Sequence, residues 1–444
     1  MLNLNLKAKL IFFFLAIGII AVLVVGLFSY NTAQREIEKQ AFNTLEMYSA
    51  IAEDSLETYF KEREGDARVF ATTTDVYESM NVLGNSGYNT NNNQWQQRVN
   101  ILEDLAPVMV EEYGYDFAFL TDLEGNVVYS TNEEVTGADL SDRDYIQRSL
   151  GGEANWSELF FSDVINKNSM IISIPVRSEG TAGQIVGTAN LLMDQEGIDH
   201  IIHNGLENLG ESADSYLINE NGLLLTNTLL GEYAQDSALK KSINTRAVEL
   251  LSGPISSGNL NFSATETYPD YFDNPVLGNV TVVGFGGENA GLIVEIDQSE
   301  VFAGVNQLRT YMIIIMLVVA LVIAAIAFFI ARSIANPIIA ATGIAETIAE
   351  GKLTEKVPEK YKNRKDEIGT LANAIEKMIK NLRNLVGSVA DISSNLSASS
   401  EELSASGEEV ATAAEQVGKS IQDVASGAEE QSAQVEETSS NIEE

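Results

Sequence analysis

The chain has 444 residues, no cysteine, 27 Lys plus Arg against 64 Asp plus Glu, and a net charge of −37. This charge argues against a nucleic-acid-binding protein, because such proteins need a cationic surface to displace phosphate counterions. The lack of cysteine excludes disulfides, thiolate nucleophiles and zinc–cysteine sites, and two histidines leave little for histidine-based catalysis. The mean hydropathy is nevertheless zero, so strongly apolar segments must offset the acidic residues.

Two uncharged segments are long enough to span a membrane. Residues 10–28 and 312–331 contain 19 and 20 residues, which at about 1.5 Å per residue approaches the roughly 30 Å of a bilayer core. A cleaved signal peptide is the alternative for the first segment. That segment is longer than a typical signal-peptide core, and no Ala-x-Ala cleavage site follows it. We therefore expect two membrane helices, over residues 10–30 and 312–331.

The charges that flank these segments predict their orientation. Lys7 and Lys9 precede the first segment, and Arg332 directly follows the second. Residues 332–385 have a net charge of +3, whereas residues 31–311 have −30. Because cationic flanks stay in the cytoplasm, we expect residues 1–9 and everything after residue 331 to be cytoplasmic, and residues 31–311 to be extracellular. The protein is then a two-span protein of the cell membrane.

The beginning of the extracellular region is predicted to be a long helix followed by a loop. Apolar residues recur every three or four positions, as on one face of a helix that continues the first membrane segment. These residues are Ile37, Ala41, Leu45, Tyr48, Ala52, Leu56 and Tyr59. Residues 83–97 are rich in glycine and asparagine, which predicts a loop.

A short sequence unit then occurs twice, 97 positions apart. Each copy has two strand-like stretches around a turn with a glycine, Gly125 in the first and Gly222 in the second. The predicted hairpin strands are residues 117–121 and 127–130, then 216–218 and 223–225; the later strands are 170–176 and 184–193, then 280–285 and 291–296. We interpret the copies as tandem sheet-and-helix modules, a distal one over about residues 112–195 and a proximal one over about residues 213–298. Two unrelated hairpins are the alternative.

The order and spacing of these segments resemble a double-Cache receptor, in which a tandem PAS-like sensor lies between two membrane helices. The matching segments are residues 137–145, 172–176 and 184–187 in the first copy, and 216–222 and 294–297 in the second. In that family the ligand lies in the distal module. By position, the resemblance implies a ligand site formed by Arg143, Tyr145, Trp156, Asp163 and Asn190.

Such a site suits a small extracellular ligand such as an amino acid, an organic acid or an amine. A guanidinium binds a carboxylate, aromatic rings wall the pocket, and an acid or amide receives an ammonium group. The chain departs from the amino-acid-binding pattern, because Tyr145-Ile146 stands where that pattern has Trp-Tyr, and Asn190 stands where it has Asp. The alternative for Arg143 is a surface salt bridge with Asp139 or Asp142. Tyr145 and Trp156 could equally be core residues.

The two histidines, His200 and His203, are three positions apart on a probable helix. This spacing is compatible with metal binding, but the sequence offers no third ligand, and a solvated helix face is the favoured interpretation. We therefore expect no metal, no cofactor and no catalytic site.

Residues 332–385 are predicted to form two amphipathic helices joined by a polar, basic connector. Their apolar stripes lie over residues 334–348 and 368–385. Pro337 lies in the first turn of the first helix, where proline is tolerated. The second helix opens with Asp366-Glu367-Ile368-Gly369, which places acids at the positive end of the helix dipole. Since two such helices cannot bury their apolar faces alone, we expect a homodimeric four-helix bundle.

With Pro337, Asp366, Glu367 and Gly369 as its marks, this region resembles a HAMP domain. The resemblance implies that a displacement of the second membrane helix is converted into a change of bundle packing.

The final segment, residues 386–444, holds one Lys and 13 acidic residues. Apolar residues at seven-residue steps predict a coiled-coil helix. They are Leu396, Leu403, Val410, Val417 and Val424, then Ile421, Ala428, Val435 and Ile442. Acidic or amide pairs also recur every seven residues, at 401–402, 408–409, 415–416, 422–423, 429–430, 436–437 and 443–444. Their mutual repulsion is uncompensated, so neutralising them would tighten the packing; a plain charged face is the alternative.

Residues 425–440 resemble the first methylation helix of methyl-accepting chemotaxis proteins. The resemblance implies methylation of Glu430 and Glu437, with Glu429 and Glu436 as further candidates. It also implies a chemotaxis histidine kinase, a coupling protein, a methyltransferase and a methylesterase as partners of the full-length family. The family's hairpin tip and returning helix are missing, so the chain looks like a C-terminally truncated receptor.

The expected fold is therefore mixed α/β plus all-α: a tandem PAS-like sensor between two membrane spans, a HAMP helix pair and a long coiled-coil helix. The expected function is a homodimeric transmembrane chemoreceptor and not an enzyme. The alternative is the sensor region of a histidine kinase or cyclase, although no histidine follows His203. A membrane-anchored structural coiled coil would not account for the duplicated module. The charge of −30 outside suggests a cationic or zwitterionic ligand or a high-salt habitat.

Overall fold

A computed structural model of the chain describes residues 6–442, in two compact units. Residues 24–314 form one unit, and the described parts of residues 1–23 and 315–444 form the other. The last predicted acidic pair, Glu443 and Glu444, lies outside the described residues, as do residues 1–5 of the predicted cytoplasmic N-terminus.

The chain begins with a 67-residue helix, α1 (Leu6–Thr72). The predicted apolar face is confirmed, because Leu45, Ala52 and Leu56 are buried in the main core and the other four residues of the stripe pack against it. Two further helices follow, α2 (Thr74–Asn85) and α3 (Asn93–Glu111).

The loop predicted over residues 83–97 is wrong at both of its ends, because only residues 86–92 lie between α2 and α3. Leu83 is fully buried in α2, and Trp95 is buried in α3. The asparagines were misread as loop residues: Asn92 is the N-cap of α3, and its side chain accepts the backbone N–H of Gln94 at 2.7 Å. An asparagine that caps a helix marks the start of that helix, although a stretch rich in asparagine resembles a loop in composition.

The distal module is an antiparallel sheet between two helical layers. Its strands are β1 (Phe117–Thr121), β2 (Val127–Ser130), β3 (Asn155–Trp156), β4 (Phe160–Ser162), β5 (Lys167–Glu179) and β6 (Ala182–Asp194). Their order is β2-β1-β6-β5-β3, with β4 also paired to β5. Helix α4 (Asp144–Leu150) packs on one face over a small apolar cluster, and the other face joins the core that α1, α2 and α3 cover.

The proximal module repeats this plan after the connecting helix α5 (Glu196–His203). Its strands are β7 (Asp214–Ile218), β8 (Ser263–Pro269), β9 (Pro275–Phe285) and β10 (Glu288–Asp297), in the order β7-β10-β9-β8, with α6 (Arg246–Ser257) packed on one face. The order β7-β10-β9 matches β1-β6-β5 of the distal module. This shared order favours a tandem repeat over two unrelated hairpins.

The turn glycines of the two copies have the same conformation, with φ of +89° at Gly125 and +78° at Gly222, a region that side chains disfavour. The second copy differs from the prediction after its turn. Residues 223–225 form no strand and make only isolated bridges, Ile218 with Leu224 and Leu223 with Ser242.

Both predicted membrane segments are helical. Helix α7 (Gln298–Val301) precedes α8 (Ala303–Ile330), which continues through a short π-helical segment (Ala331–Ala335) into α9 (Asn336–Ala349). Helix α1 and the run Ala303–Ala349 are long and apolar enough to cross a membrane.

The chain ends in the short helix α10 (Glu359–Lys362) and the 76-residue helix α11 (Glu367–Ile442). Val357, Ala372, Ile375 and Ile379 form a small core with the apolar side of α9. From Leu385 onward, the described apolar side chains at the heptad positions of α11 are exposed in this single chain, Leu403 at 74% for example.

Candidate ligand-binding site

A cavity of about 320 Å³ opens at the β3 edge of the distal sheet. Three of the five predicted ligand residues, Arg143, Tyr145 and Trp156, line it together. The other lining residues are Asp144, Arg148, Asn155, Ser157, Glu158, Phe160, Gly287 and Glu288. Gly287 lies in the β9–β10 turn and Glu288 begins β10, so the wall of the cavity is shared between the two modules.

Arg143 makes the surface ion pair that was the alternative to ligand binding. Its Nε lies 3.5 Å from Asp142 Oδ1, and 59% of its side chain is exposed. A nearby second arginine, Arg148, has its Nε 2.9 Å from Asp144 Oδ2. Exposed pairs of this kind stabilise by only about 0–1 kcal/mol. Both guanidiniums can therefore exchange these partners for a ligand carboxylate at little cost.

Tyr145 and Trp156 are core residues whose surfaces also reach the cavity. Tyr145 is buried in the cluster beneath α4, and burial raises the pKa of its hydroxyl to about 12. The Trp156 ring meets the Phe60 ring of α1 edge to face, with centroids 5.1 Å apart. The cavity therefore has rigid aromatic walls anchored in both helical layers.

Asn190 lies deeper, in a polar row that crosses the sheet on the face covered by α4. The register pairs Asn155 of β3 with Ser173 of β5, and Ser173 with Asn190 of β6. Asn190 is 0% exposed, and its Nδ2 donates to Thr188 Oγ1 at 2.8 Å and to the Phe119 carbonyl at 3.3 Å.

Three buried polar atoms beneath α4 have no hydrogen-bond partner in the described part of the chain. They are Oδ1 of Asn190, Oγ of Ser173 and Oγ of Ser149, which lies on α4 itself. Leaving such an atom unsatisfied costs about 1–3 kcal/mol. The row begins at Asn155, which lines the cavity, so the cavity adjoins a polar interior with unused hydrogen-bonding capacity.

The structure does not bring the fifth predicted residue to this cavity. Asp163 is exposed in the turn between β4 and β5 and is not among the lining residues. Sequence reasoning also missed Glu158 and Glu288. Burial, followed by the charges of Glu158 and Glu220, raises the pKa of Glu288. Glu288 comes from the other module, and no local sequence signal connects it with Arg143. The polar row could have been suspected from the sequence, because Ser173 interrupts the otherwise apolar middle of β5.

Only one of the two histidines lies on a solvated helix face. His200 is exposed, as expected of a solvated helix face, whereas His203 is partly buried with its Nε2 2.9 Å from the carbonyl oxygen of Ser215. Burial lowers the pKa of His203. Within residues 6–442, no three His, Asp or Glu side chains are grouped so that they could hold a metal ion.

The predicted HAMP residues lie at the starts of α9 and α11. Pro337 is buried in the first turn of α9, Asp366 accepts the backbone N–H of Gly369 at 3.1 Å, and Glu367 is the exposed first residue of α11. The four predicted methylation residues, Glu429, Glu430, Glu436 and Glu437, are all exposed on α11.

Residues 329–384 match the HAMP domain family, and no curated protein sequence matches the chain. Among solved structures, the ligand-binding domain of the Campylobacter jejuni chemoreceptor Tlp3 with 4-methylisoleucine is similar at 11% identity and a TM-score of 0.43, over 59% of this chain and 92% of that one. The ligand-binding domain of the Pseudomonas aeruginosa PAO1 amino acid chemoreceptor PctB with L-Arg has 15% identity and a TM-score of 0.41, over 61% and 92%.

The sensor domain of the Vibrio cholerae histidine kinase DctB has 14% identity and a TM-score of 0.40, over 61% and 99%. Similarity at this level does not identify a ligand.

Proposed function

We propose that this chain is a homodimeric transmembrane receptor that binds a small extracellular ligand in its distal module and relays binding through the HAMP domain to α11. The observation that carries the proposal is the polar row beneath α4, with unpartnered atoms on Ser149, Ser173 and Asn190, next to a cavity lined by charged side chains. A domain with a purely structural role would gain nothing from such a row, because each buried polar atom without a hydrogen-bond partner lowers the stability of the fold.

The charges around the cavity favour a zwitterion, such as an amino acid, over a simple organic acid or amine. Arg143 and Arg148 provide two guanidiniums for a carboxylate. Glu158 and Glu288 provide carboxylates for an ammonium group. Because Glu288 begins β10 of the proximal module, a ligand that bridges the arginines and the glutamates would pull the proximal module towards the distal one.

The continuity of the helices supports the proposed relay. The run from α8 through α9 is helical without a break, so a displacement of the membrane segment reaches the HAMP core directly. The core of α9 and α11 within one chain is small, which leaves apolar surface for a second copy. Both termini are cytoplasmic in this proposal, and residues 31–311 are outside.

For the output we favour chemotaxis over a histidine kinase or cyclase, and no catalytic activity of the chain itself. Helix α11 continues to Ile442, and it carries the repeated Glu pairs on its exposed surface. A kinase would need a phosphorylatable histidine soon after the HAMP domain, and the sequence has none after His203.

The ligand proposal is tested by a thermal-shift screen of the detergent-solubilised full chain against amino acids, organic acids and amines. We expect an amino acid to give the largest shift, and Arg143→Ala to weaken its binding at least about tenfold through loss of a charge-assisted contact. Asn190→Leu should weaken binding further, because it removes the polar atoms at the centre of the row. The control is Arg246→Ala, which removes an exposed arginine of the proximal module.

Unchanged affinity in Arg143→Ala would contradict the ligand site, and a best ligand without an ammonium group would contradict the proposed class.

Methylation is tested separately, by radiolabel transfer from a methyl donor with a chemotaxis methyltransferase. We expect labelling to fall by about half in each of Glu430→Ala and Glu437→Ala and to be nearly lost when the two are combined with changes at Glu429 and Glu436. The control is Glu402→Ala, in an acidic pair outside the predicted segment. Unaltered labelling of the combined variant would contradict these sites.

A further inference from the structure

One side chain of the HAMP connector, Arg364, joins the starts of α9 and α11. Its Nη1 donates to the backbone carbonyl of Ser333 at 3.3 Å. Its Nε and Nη2 donate to the Asp366 carboxylate at distances from 2.5 to 3.1 Å. Ser333 lies where the second membrane helix passes into α9, and Asp366 directly precedes α11. The guanidinium therefore bridges the input and output ends of the domain.

Pro337 removes the donor that the Ser333 carbonyl would have in a regular α-helix. In an α-helix the carbonyl of residue 333 accepts the N–H of residue 337, and proline has no N–H. The backbone is π-helical over Ala331–Ala335, immediately before the proline, as expected where the α-helical ladder is interrupted. The Arg364 guanidinium donates a hydrogen bond to the Ser333 carbonyl in place of the backbone N–H that residue 337 lacks.

Asp366 connects the same guanidinium to the first turn of α11. Its Oδ1 accepts the N–H of Gly369, which is the N-cap-to-N3 bond of a capped helix. The hydrogen bond from Arg364, and then that from Gly369, lower the pKa of Asp366 to about 2. Gly369 is needed for this approach, because a Cβ at that position would lie 2.0 Å from the carbonyl oxygen of Arg364.

We propose that Arg364 is a positioning residue that fastens the first turn of α11 to the Ser333 carbonyl, whose α-helical donor is replaced by Pro337, so that movement at the end of the second membrane helix is carried directly to α11. This contact unites the separate HAMP marks, Pro337, Asp366 and Gly369, into one connected unit. It depends on the proposed relay for its purpose, but its existence can be tested without any ligand.

The test is hydrogen–deuterium exchange of the full chain in lipid nanodiscs. We expect Arg364→Ala to accelerate exchange about tenfold in both helix starts, residues 338–342 and 367–370, since a hydrogen bond to a charged group is lost at each. In a Pro337→Ala background, where an N–H again reaches the Ser333 carbonyl, the same change should accelerate the α9 start less than about twofold while the α11 start still responds fully. Arg364→Lys should restore part of the protection at either end.

The matched control is Arg383→Ala, because Arg383 also donates to backbone carbonyls of the connector, those of Leu353 and Glu355. We expect faster exchange near residues 353–357 and no change at the two helix starts. The proposal is overturned if Arg364→Ala leaves the α9 start protected, or if Pro337→Ala does not diminish its effect. A chain that passes this test but binds no small molecule would contradict the proposed receptor function and leave the Arg364 contact intact.

Discussion

At the scale of single residues, the proximal module contains two buried acids that face each other. Asp214 of β7 and Glu295 of β10 are register partners and are only 1% and 2% exposed. The Glu295 carboxylate accepts hydrogen bonds from the hydroxyls of Tyr216 and Tyr268, each at 3.1 Å. Asp214 accepts bonds from two backbone N–H groups and from Tyr271. Neither acid forms an ion pair with a Lys or Arg in the described part of the chain.

This arrangement predicts that residues 24–314, the outer unit in the proposed orientation, lose stability as the pH rises. Burial, and then the charge of Asp214, raise the pKa of Glu295 to about 8 from its ordinary value of 4.5. An acid with a raised pKa in the folded state stabilises that state fully below its unfolded pKa, and the contribution is lost as the pH rises through the folded pKa. Between about pH 4.5 and 8 the loss for this one group is on the order of 3–5 kcal/mol.

Glu295→Gln should remove most of this loss, because glutamine carries no charge and can still bond both tyrosines, accepting from one hydroxyl and donating to the other. The measurement is thermal unfolding followed by tryptophan fluorescence at pH 5 and pH 8.5. Both tryptophans, Trp95 and Trp156, lie in the outer unit and so report on that unit alone. The control is Glu220→Gln, at an exposed turn of the same module. Parallel pH dependence in Glu295→Gln and the native chain would refute the prediction.

These residues show what a sequence pattern can and cannot reveal about a site. Residues 291–296 were predicted to be a strand of the second copy, but nothing local indicated that Glu295 is buried opposite Asp214, 81 positions earlier. In the distal module, Arg143, Tyr145 and Trp156 could be predicted to lie together because their positions match those of the family's ligand-binding segments, and they line one cavity. Glu288 was not predicted, because it depends on how the two modules pack. Register and module packing are tertiary properties that local patterns do not contain.

At the scale of secondary-structure elements, the start of α3 lies within the residues that were predicted to be a loop, and it is held to the core by one buried side chain, Trp95. Trp95 is 1% exposed and is one of the largest fully buried side chains in the chain. We expect Trp95→Ala to destabilise the outer unit by about 3–5 kcal/mol, the usual cost of truncating a buried aromatic residue. Unfolding can be followed with the remaining fluorophore, Trp156.

The control is Gln97→Ala, two positions along the same helix and exposed, which should change stability by less than about 0.5 kcal/mol. Equal effects of the two substitutions would show that residues 93–97 contribute as a loop and not as an anchored helix.

The last helix, α11, has apolar residues at the predicted heptad positions, but these side chains are exposed in a single chain. We expect a second copy to cover them. In the heptad frame Leu403 and Val410 are core positions, whereas Ala405 lies on the outer surface. Oxidative cross-linking through Val410→Cys should join two chains efficiently, with no background because the chain has no cysteine.

Adding Leu403→Asp should reduce this cross-linking at least about fivefold, because it places like charges together in the core. Adding Ala405→Asp, the same change on the outer surface, should leave it unaltered. If both aspartates reduced cross-linking equally, net charge and not the heptad core would govern association of α11.

At the scale of the whole molecule, the sequence was sufficient for the order of the parts: candidate membrane helix, duplicated α/β module, second candidate membrane helix, HAMP helix pair and long final helix. Long elements with a strong period, such as α1 and α11, are determined by their own residues, which is why they were predicted correctly. The errors, at residues 83–97 and 223–225, fall where short segments depend on caps and bridges from distant residues. The boundaries of the modules stay predictions.

The distribution of charge makes a final prediction about orientation. The net charge is +2 before the first predicted membrane segment, −30 over residues 31–311, +3 over residues 332–385 and −12 over residues 386–444. A cationic flank resists translocation, whereas acidic residues contribute little, so the small positive values decide the topology despite the large negative ones. We therefore expect Asn259→Cys, in the outer unit, to react with a membrane-impermeant maleimide in intact cells. Lys356→Cys, in the HAMP connector, should react only after permeabilisation. The reverse labelling would place the sensor inside the cell and remove the physical basis for an extracellular ligand.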